Sequence, residues 1–466
     1  MVLLTTLATA LVFPKFSDEP RKEPSPKAAR DATEPAAADW IRSHLTELST
    51  DVPTETEFEP LLRSLASSQL IGLGESTHGD HQSQEFKSQA IRRLILDQKL
   101  DTVVFEINRS AGQALDEYVN LGKGEFSEVI RKKGVFKIWH TDEFASLIGW
   151  MRGYVVQTGQ PIRIYGIDCQ MPAKDISTVI DFLKSVDQQA AERLESTYSS
   201  LLEFDKSGKT YLAWLEAQGG GDYSKNAEPV QTISKLLTSK KDEWSKLPGY
   251  DESVYAAETA YQAFNSFEYE FGNGKRNMLK MTPAYYSRRD KFMAQNLLRR
   301  VGQKRACLWA HDLHVLGELP ERVAKIGFST LGAELKKTLK SAYTTVGFTW
   351  TSGTIRVKTA ANTSTNLAAV QQTAIPLTSV TANQNGDLGE FFARVGPANF
   401  YVDLRQADLA TQKWGANAYY RASIGWIFDP KVFMVNPIQE SIPTIPSHDI
   451  IVFNKRISPS SIWIYP

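Results

Sequence analysis

The feature that most constrains the fold is a repeated unit in which a short apolar strand is followed by apolar residues at helical spacing. Four such strands are predicted, at residues 70–73, 102–106, 162–168 and 306–310. Short buried strands that alternate with helices are typical of a mostly parallel sheet. The sequence therefore predicts an α/β fold, with a mostly parallel central sheet flanked by helices.

A long helical stretch interrupts this alternation. Between residues 173 and 303 no strand pattern is recognisable, whereas apolar residues recur at helical spacing. We interpret residues 173–303 as a large helical insertion that borders an open active-site cleft above the sheet. Further strands are predicted after the insertion, at 343–350, 354–357, 399–402 and 449–453.

The N-terminal residues differ in composition from the rest of the chain. Residues 2–13 form an apolar run of the length of a secretory signal, but no Lys or Arg precedes the run. Residues 14–38 are rich in Pro, Ala and charge, which is typical of a disordered linker. We expect a catalytic domain over residues 39–466, without a membrane span, in a protein that is either cytoplasmic or exported.

Charge and cysteine content exclude several classes of function. The 53 Lys and Arg residues balance 53 Asp and Glu residues, so no overall field favours nucleic acid or an anionic membrane. Cys169 and Cys307 are the only cysteines, too few for a disulfide framework or a cysteine-built zinc site. We expect a small-molecule substrate and no nucleic-acid partner, and no sequence feature assigns an oligomeric state.

Ionisable residues are concentrated where the four predicted strands end. Because ligands of open α/β sheets bind outside the carboxyl ends of the strands, these side chains are expected to converge on one site. Any one of them alone could be a helix cap or part of a buried ion pair, but together they predict an active site. They are Glu75, His78, Glu106, Asp168, His311, Asp312 and His314.

Common catalytic motifs are missing from this sequence. There is no Gly-x-Ser-x-Gly, and therefore no nucleophilic serine of the usual α/β-hydrolase type. Residues 72–77 lack the third glycine of a dinucleotide loop, and residues 272–276 lack the spacing of a phosphate-binding loop. Histidine with carboxylates remains, which suits general base catalysis by an imidazole that a carboxylate orients. We expect no cofactor.

Two histidine pairs keep a metal site open as an alternative. His78 and His81 are three residues apart, and so are His311 and His314. Two such pairs with a carboxylate could hold zinc or manganese, although each pair could equally combine one site residue with one structural histidine. His140 could line the same cleft.

Six motifs, in order, resemble the erythromycin esterase family, and the similarity covers roughly residues 39–454. They are Leu73-Gly74-Glu75-Ser76-Thr77-His78-Gly79; Phe105-Glu106; Trp139 with Thr141 and Glu143 before Trp150-Met151-Arg152; Tyr165-Gly166-Ile167-Asp168; Arg289-Asp290 with Met293 and Asn296; and Trp309-Ala310-His311-Asp312-Leu313-His314. The family's fold, an α/β core with a helical bundle beside a large cleft, agrees with the interpretation of residues 173–303.

The resemblance implies an esterase that opens the macrolactone ring of 14-membered macrolide antibiotics and so confers resistance. It places the general base on His78, with Glu75 and Glu106 as carboxylate partners. It also places a histidine opposite, either His311 or His314. Water is then the nucleophile, and no acyl-enzyme forms.

The resemblance also implies roles for residues around this centre. Lys87 stands where the family commonly has Arg, and it would stabilise the oxyanion or position a carboxylate. We assign Trp139, Asp168, Arg289 and Asp312 to substrate binding. Asp312 stands where the family more often has Asn, which adds negative charge to the site.

Two other functions are compatible with the sequence. One is a metal-dependent hydrolase of a different ester or amide on the same fold, which the histidine pairs would serve. The other is a non-catalytic protein that binds a macrocycle or a glycan, because aromatic residues can line a cleft without chemistry. The tryptophans that suggest it are Trp139, Trp150, Trp214, Trp244 and Trp309, of which we interpret Trp150 and Trp309 as core residues.

Overall fold

A nine-stranded sheet forms the centre of the protein. The computed structural model describes residues 26–132, 135–209, 211–218, 224–266, 269–272, 275–279, 283–319, 325, 327–359, 377–381, 387–416, 423–425, 427–428, 443–445 and 447–462. The strands in these ranges are β1 (Thr46–Glu47), β2 (Leu70–Leu73), β3 (Thr102–Asn108), β4 (Arg163–Asp168), β5 (Tyr269–Gly272), β6 (Lys275–Leu279), β7 (Ala306–Trp309), β8 (Tyr343–Arg356), β9 (Lys358–Thr359), β10 (Leu377–Thr381), β11 (Asn399–Asp403), β12 (Ile427–Phe428) and β13 (Ile450–Ile457).

Helices precede, connect and follow these strands. They are α1 (Pro26–His44), α2 (Glu55–Leu65), α3 (His81–Gln98), α4 (Arg109–Leu121), α5 (Phe126–Lys132), α6 (Asp142–Thr158), α7 (Pro172–Val186), α8 (Gln188–Thr197), α9 (Ser199–Lys206), α10 (Tyr211–Ala217), α11 (Ala227–Ser239), α12 (Lys241–Trp244), α13 (Tyr250–Ser266), α14 (Pro283–Val301), α15 (Asp312–Val315), α16 (Leu331–Leu339), α17 (Leu388–Val395) and α18 (Leu409–Gly415).

The strand order across the sheet is β1, β11, β13, β8, β2, β7, β3 and β4, with β10 also paired to β8. Neighbours from β13 to β4 are parallel, whereas β1, β10 and β11 pair antiparallel. The predicted α/β class with a mostly parallel sheet is therefore confirmed. The prediction of separate strands at 343–350 and 354–357 is wrong, because pairing with β10 continues β8 through Arg356.

Successive residues of the central strands enter different hydrophobic cores on the two faces of the sheet. Val103 and Phe105 of β3 pack with α2, α3, α4 and α6, whereas Val104 packs with α14 and α16. Adjacent side chains of a strand point to opposite faces, so a strand covered on both faces is apolar throughout. Helices therefore enclose the sheet, and the ends of its strands are the places where polar groups gather.

The helices between β4 and α14 have a hydrophobic core of their own, which includes Ile176, Leu194, Leu237 and Phe264. They lie in the predicted helical insertion; that it borders a cleft stays a prediction. The expectation that residues 173–303 contain no strand is wrong, because β5 and β6 form an antiparallel pair. These strands carry Glu, Lys and Arg, so they show no apolar run that would reveal them in the sequence.

The first helix begins inside the segment that was predicted to be a disordered linker. α1 starts at Pro26, and its residues Ala37 and Ile41 are buried in a core shared with α17 and α18. Alanine is the best helix former, and apolar residues four positions apart lie on one helix face. α1 therefore extends ahead of residue 39, and the domain boundaries stay a prediction.

The part of the chain that the structure describes contains no helix with the length and apolarity that a bilayer span requires. The apolar run at residues 2–13 lies outside the described residues. Its interpretation as a secretory signal, and with it the compartment, stays a prediction.

Candidate active site

Four adjacent parallel strands end side by side, and each brings an ionisable residue to the same edge of the sheet. The order β2, β7, β3, β4 places Glu75 just after β2 and His311 just after β7. Glu106 lies near the end of β3, and Asp168 is the last residue of β4. The structure thus brings together residues that the sequence associates with four separate strands.

The loop between β2 and α3 carries His78 and is held on its C-terminal side. Asp80 caps α3 by accepting a hydrogen bond from the backbone N–H of Ser83 at 2.7 Å. A Cβ atom at Gly79 would lie 1.9 Å from the backbone oxygen of Arg356, so only glycine allows this close approach. The backbone oxygen of Gly79 accepts a hydrogen bond from Arg356 N at 3.0 Å.

The His78 ring is oriented by Glu75. The Nδ1–H group of His78 donates to Oε1 of Glu75 at 2.5 Å, and the carboxylate is fully buried whereas His78 keeps 11% of its side chain exposed. An ionised carboxylate can only accept, so Nδ1 carries a proton, and in the neutral form of the ring the lone pair is on Nε2. In this orientation the imidazole can take a proton from water, and the carboxylate stabilises the imidazolium that results.

Lys87 neutralises the charge of Glu75 from the opposite side. Its Nζ donates to Oε2 of Glu75 and lies 4.2 Å from the ring centroid of Trp309, whose Nε1–H also donates to Oε2 at 3.3 Å. Burial opposes ionisation of Glu75, but Lys87 and His78 lower the pKa of the carboxyl. Burial lowers the pKa of Lys87, although Glu75 acts against this. The pair supplies His78 with an ionised hydrogen-bond acceptor.

A second group of charges, which we call the Arg289 cluster, consists of Glu106, Asp168, Arg289, Asp290 and His314. Arg289 donates to both carboxylate oxygens of Asp168, at 3.1 and 2.8 Å, and to Oε1 of Glu106 at 3.1 Å. His314 contacts Oε1 of Glu106 through Nε2 at 3.1 Å and Oδ2 of Asp290 through Nδ1 at 2.9 Å. Two basic side chains thus lie among three carboxylates.

His314 carries a positive charge in this cluster. Burial opposes the charge, but Asp290 and Glu106 overcome it and raise the pKa of His314 to about 10. Burial likewise opposes ionisation of Glu106, yet His314 and Arg289 hold the pKa of this carboxyl well below its usual value. Both ring nitrogens face carboxylates, so the imidazolium is the form that can donate from each of them, while Nε2 also lies 3.2 Å from Nη1 of Arg289.

We expect the charge of His314 to make the free energy of unfolding depend on pH in the alkaline range. A pKa raised from 6.5 to about 10 in the folded state stabilises the protein fully below pH 6.5, and this contribution is lost as the pH rises towards 10. For one proton the slope approaches about 1.4 kcal/mol per pH unit. Urea unfolding at pH 6, 8 and 10 measures it. His314→Asn should flatten the curve, and equal slopes in both proteins would contradict the assignment.

His311 has the opposite character and is neutral. Burial and, to a smaller extent, the neighbouring His78 and His314 lower its pKa to about 3. Its Nδ1 accepts a hydrogen bond from Leu313 N, and its Nε2 lies 3.3 Å from the backbone oxygen of Ile424. The two contacts place the ring proton on Nε2, where it is donated to Ile424.

The three histidines form a row across the strand ends. The ring centroids of His78 and His311 are 5.0 Å apart, and those of His311 and His314 are 6.4 Å apart. The sequence left open which residue of the His311/His314 pair belongs to the site. Both lie in this row, with His311 neutral and next to His78, and His314 charged and further away.

The four residues predicted to bind substrate are almost entirely enclosed. Trp139 is 1% exposed, Asp168 0%, Arg289 7% and Asp312 3%. Asp168 and Arg289 bind each other, Asp312 accepts from Phe348 N at 3.1 Å, and Trp139 packs 5.8 Å from the His78 ring. In this conformation their contacts are with other side chains of the protein and with the backbone, and direct contact with a substrate stays a prediction.

Neither histidine pair forms a metal centre in this structure. His81 turns away from His78 and donates from Nδ1 to Glu143 at 2.7 Å. His140 instead lies 3.1 Å from the backbone oxygen of Val135, and burial lowers its pKa to about 4. The described residues contain no group of three or more His, Cys, Asp or Glu side chains arranged to hold a metal ion.

Sequence reasoning gave no role to Asp290 or Ile424. Asp290 is itself part of the motif Arg289-Asp290, so its place in that motif was an available signal. Ile424 acts through its backbone, accepting from His311 and donating to the backbone oxygen of Ser76 at 2.7 Å. No side-chain pattern marks such a contact.

The fold and the site define an α/β protein with a histidine and carboxylate centre at the strand ends, the kind of centre that serves general acid and base catalysis. The model of the erythromycin esterase family matches residues 95–453. The chain belongs to this family and is a hydrolase of that family.

Two of the curated relatives that the chain matches have low identity to it. The chain is 21% identical over 366 residues to a putative hydrolase, YbfO, of Bacillus subtilis strain 168, covering 74% of this chain and 77% of the relative. It is 20% identical over 342 residues to the type II erythromycin esterase of Escherichia coli, covering 68% of this chain and 77% of the relative.

Solved structures share the fold. A Bacillus cereus protein superposes with a TM-score of 0.73 at 21% identity, covering 92% of this chain and 99% of that protein. A succinoglycan biosynthesis protein gives a TM-score of 0.69 at 19% identity with the same coverage. A mutant of the erythromycin esterase EreC in its open conformation gives 0.61 at 15% identity, covering 91% and 99%.

Proposed function

We propose that this protein is a carboxylic ester hydrolase that opens the macrolactone ring of 14-membered macrolide antibiotics and so confers macrolide resistance. The observation that carries the proposal is the hydrogen bond from Nδ1 of His78 to the buried Glu75, which leaves the Nε2 lone pair as a base. Membership of the erythromycin esterase family supports the substrate class.

In the proposed reaction, His78 activates a water molecule. Nε2 takes a proton from water as its oxygen bonds to the ester carbon, and the charge that develops on the ring is stabilised by Glu75. The tetrahedral intermediate then collapses, the bond from carbon to the lactone oxygen breaks, and the ring of His78 returns the proton to the leaving alkoxide. The product is a ring-opened hydroxy acid.

The other charged groups have supporting roles in this mechanism. Lys87 keeps Glu75 ionised, and the chain's own interactions therefore maintain the acceptor that His78 needs. His314, with 12% of its side chain exposed, contacts Glu106 and Asp290 and so offsets part of the negative charge at the strand ends.

Mass spectrometry of a macrolide panel tests the proposal. We expect 14-membered macrolides to gain one water after incubation with the purified protein in the absence of added metal, and 16-membered macrolides serve as the comparison. Turnover that a chelator abolishes would favour a metal-dependent hydrolase instead. Binding of macrolides without any gain of water would favour a non-catalytic binding protein.

A further inference from the structure

The orientation of His78 depends on its main chain as well as on Glu75. The backbone oxygen of His78 accepts a hydrogen bond from Nε2 of Gln84 at 2.6 Å. Gln84 is fully buried, and among the described residues no other side chain donates a hydrogen bond to this oxygen. A contact on the backbone of the same residue restricts the φ and ψ angles from which the ring projects.

The direction of this hydrogen bond is fixed by a third residue. Thr141 is the N-cap of α6, and its hydroxyl oxygen accepts from Phe144 N at 3.3 Å. The hydroxyl proton is therefore available to Oε1 of Gln84, which lies 2.6 Å away. Since Oε1 must accept from Thr141, the amide group of Gln84 has its N–H side towards His78.

We infer that Gln84 is a positioning residue for the proposed general base, held in its working orientation by Thr141. This inference rests on the proposed function, in which His78 takes a proton from water. The chain of hydrogen bonds runs from the start of α6 through the first turns of α3 to the loop after β2. It joins three elements whose relative placement sets where Nε2 of His78 points.

The other hydrogen bonds of the loop between β2 and α3 do not replace the one from Gln84 to His78. Ser76 is held by Ile424 N, and Gly79 is held by Arg356 N and Ser460 N at 3.0 Å. These bonds anchor residues on either side of His78, whereas Gln84 contacts His78 itself. A displacement of about 1 Å in a catalytic group can cost about 100-fold in rate.

Gln84→Glu is the most informative substitution because it keeps the shape, replaces the N–H donor by an oxygen and, when ionised, adds a negative charge. Two oxygens would then face the His78 carbonyl and Thr141, and we expect kcat to fall about 10- to 100-fold with little change in KM. Burial raises the pKa of a carboxyl group, and the protonated form again carries a donor. The ratio of wild-type kcat to variant kcat should therefore shrink as the pH falls from 8 to 5.5.

Gln82→Glu is the matched control on the same helix. Gln82 is also buried, but its side chain binds Asp51 and Ser458 rather than His78. It introduces the same carboxyl group two residues away, beside Asp51 and without contact to His78, and we expect kcat to stay near the wild-type value from pH 8 to 5.5. Thr141→Val is a second variant, which removes the donor to Gln84 and should lower kcat less than Gln84→Glu does.

A measurement without substrate separates this inference from the proposed function. In the NMR spectrum at pH 7, the Cε1 proton of His78, assigned with His78→Ala, should shift in Gln84→Glu and Thr141→Val but not in Gln82→Glu. An unchanged resonance in both test variants overturns the role of Gln84 whether or not macrolides are hydrolysed. A shifted resonance in a protein that hydrolyses no ester supports the positioning role and refutes the proposed function alone.

Discussion

Replacement of His78 by Ala is expected to lower kcat for ester hydrolysis by about 10² to 10⁴, the range that a positioned general base contributes. The loss should occur with the fold intact, because Glu75 keeps two of its partners, Lys87 and Trp309, in the variant. Initial rates of hydrolysis of a 14-membered macrolide, with circular dichroism to check folding, provide the measurement.

His81→Ala is the matched control for this experiment. His81 is three residues further on, at the start of α3, and its hydrogen bond to Glu143 involves no atom of the His78 and Glu75 pair. We expect near-normal turnover from this variant. Full activity in His78→Ala, or an equal loss in both variants, would refute the assignment of the base.

Lys87→Met is expected to cause the largest loss of stability. The substitution leaves the buried Glu75 without its basic partner, and removal of one partner from a buried ion pair costs about 3–5 kcal/mol. Both side chains are fully enclosed, so water cannot replace the lost contact. Turnover should also fall, since the pKa of Glu75 would rise and the acceptor for His78 would be lost. Urea unfolding and thermal melting measure the effect.

A double variant tests whether the broken ion pair between Lys87 and Glu75 causes the loss of stability in Lys87→Met. Lys87→Met combined with Glu75→Gln contains neither buried charge, and we expect it to regain much of the stability that Lys87→Met loses. It should remain inactive, because an amide does not stabilise an imidazolium as a carboxylate does. A double variant no more stable than the single one would show that packing against Trp309, rather than charge, determines the loss.

The sequence predicts the centre of the fold well because the central strands are buried on both faces. Strand β2 occupies residues 70–73, where its apolar run predicts it, and β7 begins at Ala306 as expected. The elements whose observed structure differs from the prediction are those with weaker apolar patterns. β5 and β6 are short and polar, and the start of α1 is alanine-rich among charged residues, so composition favoured a linker there.

The candidate site could also be predicted from the sequence only in part. Strand ends can be located from the sequence, so Glu75, Glu106 and His311 could be expected to converge. Which side chains then pair with one another depends on tertiary packing. No sequence pattern therefore predicts that Arg289 and Asp168 bind each other.

The position of β7 has a consequence for the order in which the protein can form. β7 lies between β2 and β3 in the sheet, although α3 connects those two strands in the sequence and β7 follows the whole helical insertion. During synthesis, β2 and β3 cannot be joined by hydrogen bonds until β7, which lies between them in the sheet, has been made. Until then, their unpaired edges can associate with other chains. We expect folding of the catalytic centre to be slow, and a chaperone that shields these edges to raise the yield of active protein.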